Sequence, residues 1–136
     1  MNRQYLFIFF LLIVIPAVSK GQSSPVMYFC KSYDPDKGEI NINDSFSKGD
    51  ITVMVKSDNK LGLKDVAVRF DKWDTVSRSF KFYKKFNFTI KPAMKYVFFS
   101  KNDESDLSFN EPGFYRIYLL NDSDDIVASA IVQITD

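Results

Sequence analysis

Apolar and polar residues alternate through most of this chain, and that two-residue period limits its fold more than any other feature. The odd positions are apolar in residues 51–55, and the even positions are apolar in residues 66–70. Residues 80–90 repeat the pattern, with Lys, Asn and Thr between the apolar residues. This period is typical of a β-strand with one buried and one solvated face. No window shows the 3.6-residue period of an amphipathic helix.

Turn-forming residues divide the chain into short strands. Gly, Pro, Asp, Asn and Ser cluster at residues 34–38, 47–50, 57–60, 101–108 and 121–125. These residue types tolerate positive φ or bond their own backbone. Less regular runs at residues 27–30, 96–99, 114–120 and 126–134 indicate further strands. The pattern predicts an all-β fold of seven to eight antiparallel strands, which favours a sandwich.

The first 21 residues have the pattern of a secretory signal peptide. Arg3 supplies a positive charge, residues 5–15 are uninterruptedly apolar, and Ala17 and Ser19 fit a cleavage site. A retained anchor or buried helix is the alternative, but the apolar run is shorter than the roughly 20 residues that span a bilayer. We therefore expect one domain, residues 22–136, that is secreted, periplasmic or on the cell surface. No stable membrane anchor is expected after signal cleavage.

The composition argues against catalysis and against bound cofactors. The chain has no His and one Cys, so zinc, haem and iron–sulfur sites lack their usual ligands. A Ser or Cys nucleophile would have no His as its base, and no Gly-x-Ser-x-Gly motif occurs. We predict no enzyme activity, no catalytic residues and no cofactor. Cys30 is expected to be a buried small hydrophobe, with an intermolecular bridge as the alternative.

Calcium is the only metal with a sequence motif to support it. Asp34 and Asp36 have the alternating oxygen ligands that begin a calcium loop. The next alternate ligand and the closing bidentate Glu are missing. An ordinary Asx-Pro or hairpin turn is therefore favoured at these two residues, and no metal site is predicted.

The segment Glu111-Pro112-Gly113-Phe114-Tyr115-Arg116-Ile117 carries a more specific signal. Its spacing resembles the tyrosine corner of immunoglobulin-like domains, in which a Tyr hydroxyl bonds the backbone just upstream. Residues 109–134 also resemble the end of PKD-like extracellular modules. The resemblance implies an immunoglobulin-like β-sandwich in which Gly113 and Tyr115 are structural residues. Trp73, in a loose echo of the PKD Trp motif, is either a core residue or exposed at a strand end.

Charge is unevenly distributed along the chain although the formal net charge is +1. Residues 56–95 carry eleven Lys and Arg against four Asp, a net of +7. Residues 96–136 carry two basic residues against eight acids, a net of −6. Two interpretations stay open: a solvated strand face whose lysines protect an edge, and a basic face for an acidic partner.

The segment of residues 77–90 combines this charge with aromatic residues and supplies a candidate binding face. Its Phe residues share one parity and are expected to face the core. Lys84 has the same parity, which predicts a bulge or bend at that point. The candidate binding face therefore consists of Arg78, Lys81, Tyr83, Lys85 and Asn87.

These features favour a small exported, noncatalytic module that binds a protein partner or takes part in a surface assembly. Its expected devices are a strand edge or the basic face. A carbohydrate-binding module that uses the Lys/aromatic strand face on a polysaccharide is the alternative. An enzyme inhibitor or hydrolase accessory domain is third. Nucleic acid is not an expected partner, since no nucleic-acid motif occurs. Asn43, Asn87 and Asn121 are glycosylation acceptors if the source is eukaryotic.

Overall fold

The structure is a computed structural model that describes residues 23–136, so the predicted signal peptide lies outside the described residues. In residues 23–136 all regular structure is β-strand, and no helix there has the length and hydropathy to span a membrane. Eight of these strands have four or more residues, which confirms the predicted number, and three shorter ones add to them. The strands are β1 (Val26–Asp34), β2 (Gly38–Ile42), β3 (Ser45–Ser47), β4 (Gly49–Asp50), β5 (Thr52–Lys56), β6 (Asp65–Asp74), β7 (Ser79–Thr89), β8 (Tyr96–Phe99), β9 (Ser108–Phe109), β10 (Gly113–Leu120) and β11 (Ile126–Thr135).

The strands form two main sheets. The first has the order β2-β1-β5-β8, and the second has the order β3-β11-β10-β6-β7, while β4 and β9 form a short separate ladder. Every pairing is antiparallel except that of β3 with β11. This order separates β1, β5 and β8 from β6, β10 and β11, as the A-B-E strands are separated from C-F-G in immunoglobulin domains. The fold is an all-β, immunoglobulin-like sandwich.

Alternate residues of both sheets fill the core. Phe29 and Val53 come from the first sheet, and Phe70 and Ile117 come from the second; all four are buried. Aromatic rings also meet edge to face, with the Phe70 and Phe109 centroids 5.7 Å apart. The two-residue period of the sequence is therefore the origin of the core, as expected for sheet-on-sheet packing.

The tyrosine corner is present where its spacing predicted it. Tyr115 is buried near the start of β10, and its hydroxyl donates to the Glu111 carbonyl oxygen at 2.7 Å. Gly113 has φ +145, a backbone conformation that is strained for any residue with a side chain. Burial, with smaller contributions from Tyr83 and Glu111, raises the Tyr115 pKa to about 12, so this donor stays protonated.

A bulge interrupts the pairing of β7 with β6. Lys84 lies opposite Phe70 and Phe82 lies opposite Asp71, so Tyr83 is the extra residue. The irregularity predicted at Lys84 is thereby confirmed. The bulge also reverses the parity of the strand, so that Phe82 points to solvent and Tyr83 packs on Tyr115 with centroids 5.5 Å apart. The predictions that Phe80 and Phe82 face the core and that Tyr83 faces solvent are therefore wrong.

The first sheet has little of the solvated outer face that its alternation predicts. Thr52 and Met54, at the even positions of β5, are buried together with Cys30 of β1. Tyr33, at the far end of β1, stacks on Phe98 of β8 with centroids 4.4 Å apart, although β5 lies between these strands. The end of β1 and its partner β2 therefore bend across this face. The expectation that Cys30 is a buried small residue is confirmed.

Candidate functional site

The outer face of the second sheet exposes a group of large apolar side chains. Phe82 is 61% exposed, Ile131 49%, Phe114 48% and Trp73 36%. Strand pairing places arginines and a further tyrosine among them, because Arg116 lies opposite Ile131 and Tyr118 opposite Arg69. We call this surface the aromatic–arginine face; it consists of Arg69, Trp73, Phe80, Phe82, Phe114, Arg116, Tyr118 and Ile131.

Arg69 lies at the centre of this face and is held on three sides. Its guanidinium donates to both Asp71 carboxylate oxygens, at 2.8 and 3.1 Å. The same group lies over the Phe82 ring at 5.7 Å and over the Tyr118 ring at 5.8 Å. Cation–π contacts and a bidentate ion pair both restrict the Arg side chain. The middle of the face is therefore ordered in advance of any binding.

Arg116 extends the stack by one more cation. Its guanidinium lies 5.2 Å from the centroid of the Tyr118 ring. Within residues 23–136 it forms no ion pair, whereas Arg69 is neutralised by Asp71. The face therefore has a surplus positive charge next to apolar rings, and a carboxylate of a partner would complement it.

A groove crosses the end of this face where β6, β7 and β10 meet. Trp73 packs edge to face on Phe80, with centroids 5.1 Å apart. Phe82 and Phe114 line the groove together with the polar side chains of Lys72, Asp74 and Lys81. Trp73 is thus exposed at a strand end, which was one of its two predicted positions. The large aromatic residue that β6 contributes to the core is Phe70 instead.

The five residues of the predicted binding face do not form one surface. Lys85 and Asn87 point outward near one end of β7, and Lys81 lies near the other end beside Asp74, at 2.8 Å. Arg78 lies in the β6–β7 turn with φ +52, and Tyr83 packs inward. Lys85 is paired with Asp124 at 2.9 Å. Whether any of these residues binds a partner stays a prediction.

Sequence reasoning missed Arg69, Phe114, Arg116 and Tyr118. A usable signal was present, because the outward positions of β10 are Phe, Arg and Tyr rather than small polar residues. Aromatic residues and arginine are enriched at interface centres, whereas Lys and Glu are depleted.

Lys84 points inward and holds a loop in place. Its ammonium group donates to the carbonyl oxygens of Asp106, at 2.6 Å, and Ser108, at 2.5 Å. It also lies 5.1 Å from the Phe109 ring centroid. Burial lowers the Lys84 pKa, although nearby Asp106 opposes that shift. These bonds account for the buried part of the side chain, so Lys84 has a structural explanation.

The Asp34–Asp36 segment forms a turn, the alternative that its sequence favoured. An Asp34 carboxylate oxygen accepts hydrogen bonds from the amides of Asp36 and Lys37, each at 2.9 Å. In residues 23–136 no three Asp, Glu, Cys or His side chains gather in a way that could hold a metal. Of the three Asn-x-Ser/Thr triplets, Asn43 and Asn87 are exposed, while Asn121 is half-buried in a turn.

A polar cluster lies where β2 crosses the first sheet. The Tyr28 hydroxyl donates to a Glu39 carboxylate oxygen at 2.5 Å, and the buried Tyr96 hydroxyl lies beside them. The bond from Tyr28, with a further effect of Tyr96, lowers the Glu39 pKa to about 2. Burial, then Glu39, raises the Tyr28 pKa to about 12. The cluster fastens the β1–β2 hairpin to the sheet.

Comparison with known proteins identifies no family for this chain. No family model matches the chain, and no curated protein matches it significantly in sequence. Among solved structures, an immunoglobulin-like protein from Pseudomonas aeruginosa aligns with 8% identity and a TM-score of 0.47. The alignment covers 85% of this chain and 99% of that one. The assignment of the fold here therefore depends on strand order and the tyrosine corner.

Proposed function

We propose that the protein is an exported, noncatalytic module that binds another protein through the aromatic–arginine face. The observation that carries this proposal is the convergence of Phe82, Phe114 and Trp73 with two arginines on one uncovered sheet face. Trp, Tyr and Arg are the residues most enriched at energetic centres of protein interfaces. Export is proposed from the leader sequence.

The favoured partner surface has apolar side chains with a carboxylate among them. Apolar groups would cover Phe82 and Phe114, and the carboxylate would meet Arg116, whose charge is not balanced within residues 23–136. The stack of Arg69 between two rings reduces the ordering cost of binding. The edge of β7 is a weaker candidate, because the bulge at Tyr83 and the inward Lys84 are devices that discourage strand pairing.

Site-specific photocrosslinking tests this proposal. A photoreactive amino acid is placed at Phe82 or Phe114 of the full chain in its source, and at Val26 as a control. Val26 is 60% exposed but lies in β1 of the first sheet, away from the face. We expect one protein species to crosslink at the two face positions and not at Val26, with a yield that falls on Arg116→Glu. Equal yields at all three positions would contradict the proposal.

Carbohydrate binding is the second candidate, favoured by the groove beside Trp73. Aromatic rings there lie next to Asp74 and Lys81, which could bond sugar hydroxyls. Retention on a glycan array that salt does not weaken, and that Trp73→Ala abolishes, would support it. Phe82→Ala is the second variant to test, in place of Tyr83→Ala, because Phe82 points to solvent and Tyr83 is directed inward.

A further inference from the structure

We propose that the free edge of β11 is a self-association site, at which two copies of this chain pair antiparallel around a two-fold axis at Ser129. Within residues 23–136, no strand pairs with most of this edge. β3 pairs with β11 only at residues 133–135. In the part of the chain that the structure describes, residues 126–132 pair with β10 alone. Seven residues correspond to about 23 Å of open edge.

The direction of the backbone groups along this edge follows from one hydrogen bond. The Gln133 amide donates to the Asp44 carbonyl oxygen at 2.8 Å, so it points away from β10. Alternate residues of an antiparallel strand direct their amide and carbonyl groups to the same side. Ile131 and Ser129 therefore present these groups to the open edge.

The edge also lacks most of the features that normally prevent strand pairing. Residues 126–132 read Ile-Val-Ala-Ser-Ala-Ile-Val, without a charge, a Pro or a Gly. The opposite edge, β7, has a central bulge, an inward Lys84 and outward lysines. On β11 a bulge occurs only near one end of the segment, opposite Leu119 and Leu120. An edge of this composition is suited to pairing with another strand.

A second copy is the occupant because the segment is complementary to itself. Antiparallel pairing centred on Ser129 places Ala128 opposite Ala130, Val127 opposite Ile131 and Ile126 opposite Val132 of the second copy. Each pair is matched in size, with no charge on either strand. Ala128 and Ala130 also share a sheet face, since both pack toward the core, whereas the bulge at Val127 leaves Ile126 in solvent. A two-fold interface requires such self-complementarity, in which residue i meets residue j and j meets i.

The resulting dimer would join two five-stranded sheets into one continuous sheet. Both aromatic–arginine faces would then lie on the same side of it. A multivalent partner would bind such a dimer more tightly than a single copy, without any new contact. The dimer does not depend on the proposed function, since β11 contributes only Ile131 to that face.

The test measures the oligomeric state of the signal-free chain by sedimentation velocity over a concentration series. We expect a concentration-dependent dimer whose dissociation constant rises about tenfold or more on Ser129→Lys, since like charges then face each other. Asn87→Lys, an outward position on β7, is the matched control and should leave the dimer unchanged. Near-ultraviolet circular dichroism checks that each variant is folded.

Charge pairing provides the decisive step. An equimolar mixture of Ser129→Lys and Ser129→Asp should form a heterodimer at concentrations where each variant alone is monomeric. This rescue requires the two Ser129 positions to face each other, and it also shows that both variants fold. A wild-type chain that stays monomeric at its highest soluble concentration would overturn the proposal. So would a dimer that Ser129→Lys does not weaken, or a mixture that does not associate.

Discussion

The outer faces of the two sheets carry similar side chains, but the chain folds a hairpin over part of the first face and leaves the second face open. On the first sheet the β1–β2 hairpin bends across to bury Met54, while Phe98 stacks on Tyr33 and stays 47% exposed. Phe82 and Phe114 on the second sheet stay in solvent. The second sheet also adds two arginines stacked on rings, which the first face lacks.

This difference distinguishes a face that the chain uses for its own packing from a face that is available for binding. Exposed apolar area does not stabilise the isolated chain, and on the first sheet a short hairpin buries Met54 and Cys30. On the second sheet the chain instead orders the exposed residues, through Asp71 under Arg69 and the corner at Tyr115. An uncovered but rigid apolar face is the arrangement expected of a binding surface.

The largest expected effect tests whether the first face is a true second core. Met54 is fully buried between β5 and the hairpin, so Met54→Ala should lower the free energy of unfolding by about 3 kcal/mol. Phe82→Ala on the open face is the matched control and should cost about 1 kcal/mol or less. Urea unfolding measures both. Equal losses would show that the two faces are not different in kind.

The second prediction concerns the order of the open face. Asp71 is 5% exposed and holds Arg69 by two hydrogen bonds. Asp71→Asn removes one acceptor and the charge, so we expect a loss of about 2 kcal/mol in unfolding free energy. Asp124→Asn, at the exposed carboxylate that pairs with Lys85, should change stability little. If the two variants behave alike, the face is not organised around Arg69.

Much of the fold could be predicted from the sequence, and the reason lies in its period. Phe70, Ile117 and Val53 are buried because period-two alternation sends one parity of each strand inward. Tyr115 followed from a local motif whose hydrogen bond spans only four residues. Both signals are contained in short windows of sequence, so they survive without knowledge of the neighbours.

The binding face could not be predicted in the same way, because it depends on a bulge, a crossing hairpin and strand pairing. The alternation of apolar and polar residues does not reveal any of these. One extra residue at Tyr83 reverses the direction of Phe82. Met54 appears solvated until the hairpin, whose strand β2 was not anticipated, crosses it. Arg69 and Tyr118 meet only through the pairing of two strands distant in sequence. Such contacts are tertiary, and a single sequence does not encode them locally.

The third prediction tests how the open sheet is anchored at the strand that carries Phe114. Tyr115→Phe removes the hydroxyl that bonds the Glu111 carbonyl oxygen, and should cost about 1 kcal/mol. Tyr118→Phe removes an outer-face hydroxyl that forms no hydrogen bond within residues 23–136, and should leave the melting temperature unchanged. An unchanged melting temperature for Tyr115→Phe would mean that the corner contributes geometry and not stability.

The smallest expected effect concerns the bond that fastens the cover of the first face. The Glu39 pKa is about 2 in the folded chain, held down mainly by the bond from Tyr28, against about 4.3 for an unperturbed Glu. A depressed carboxyl pKa stabilises the folded state above the unfolded value, and this contribution disappears as pH falls toward the folded value. Hairpin closure should therefore weaken between about pH 4.3 and about pH 2.

Cys30 reports this opening because its thiol is buried next to the hairpin. The rate at which a disulfide reagent active in acid modifies Cys30 should rise over that pH interval. Glu39→Gln and Tyr28→Phe should both remove this rise and give a faster rate already at neutral pH. Arg116→Gln on the open face is the control and should leave the profile unchanged. If Cys30 reacts at the same rate across the interval, the bond between Tyr28 and Glu39 does not control opening of the hairpin. Packing on Met54 alone then holds the hairpin over the first face.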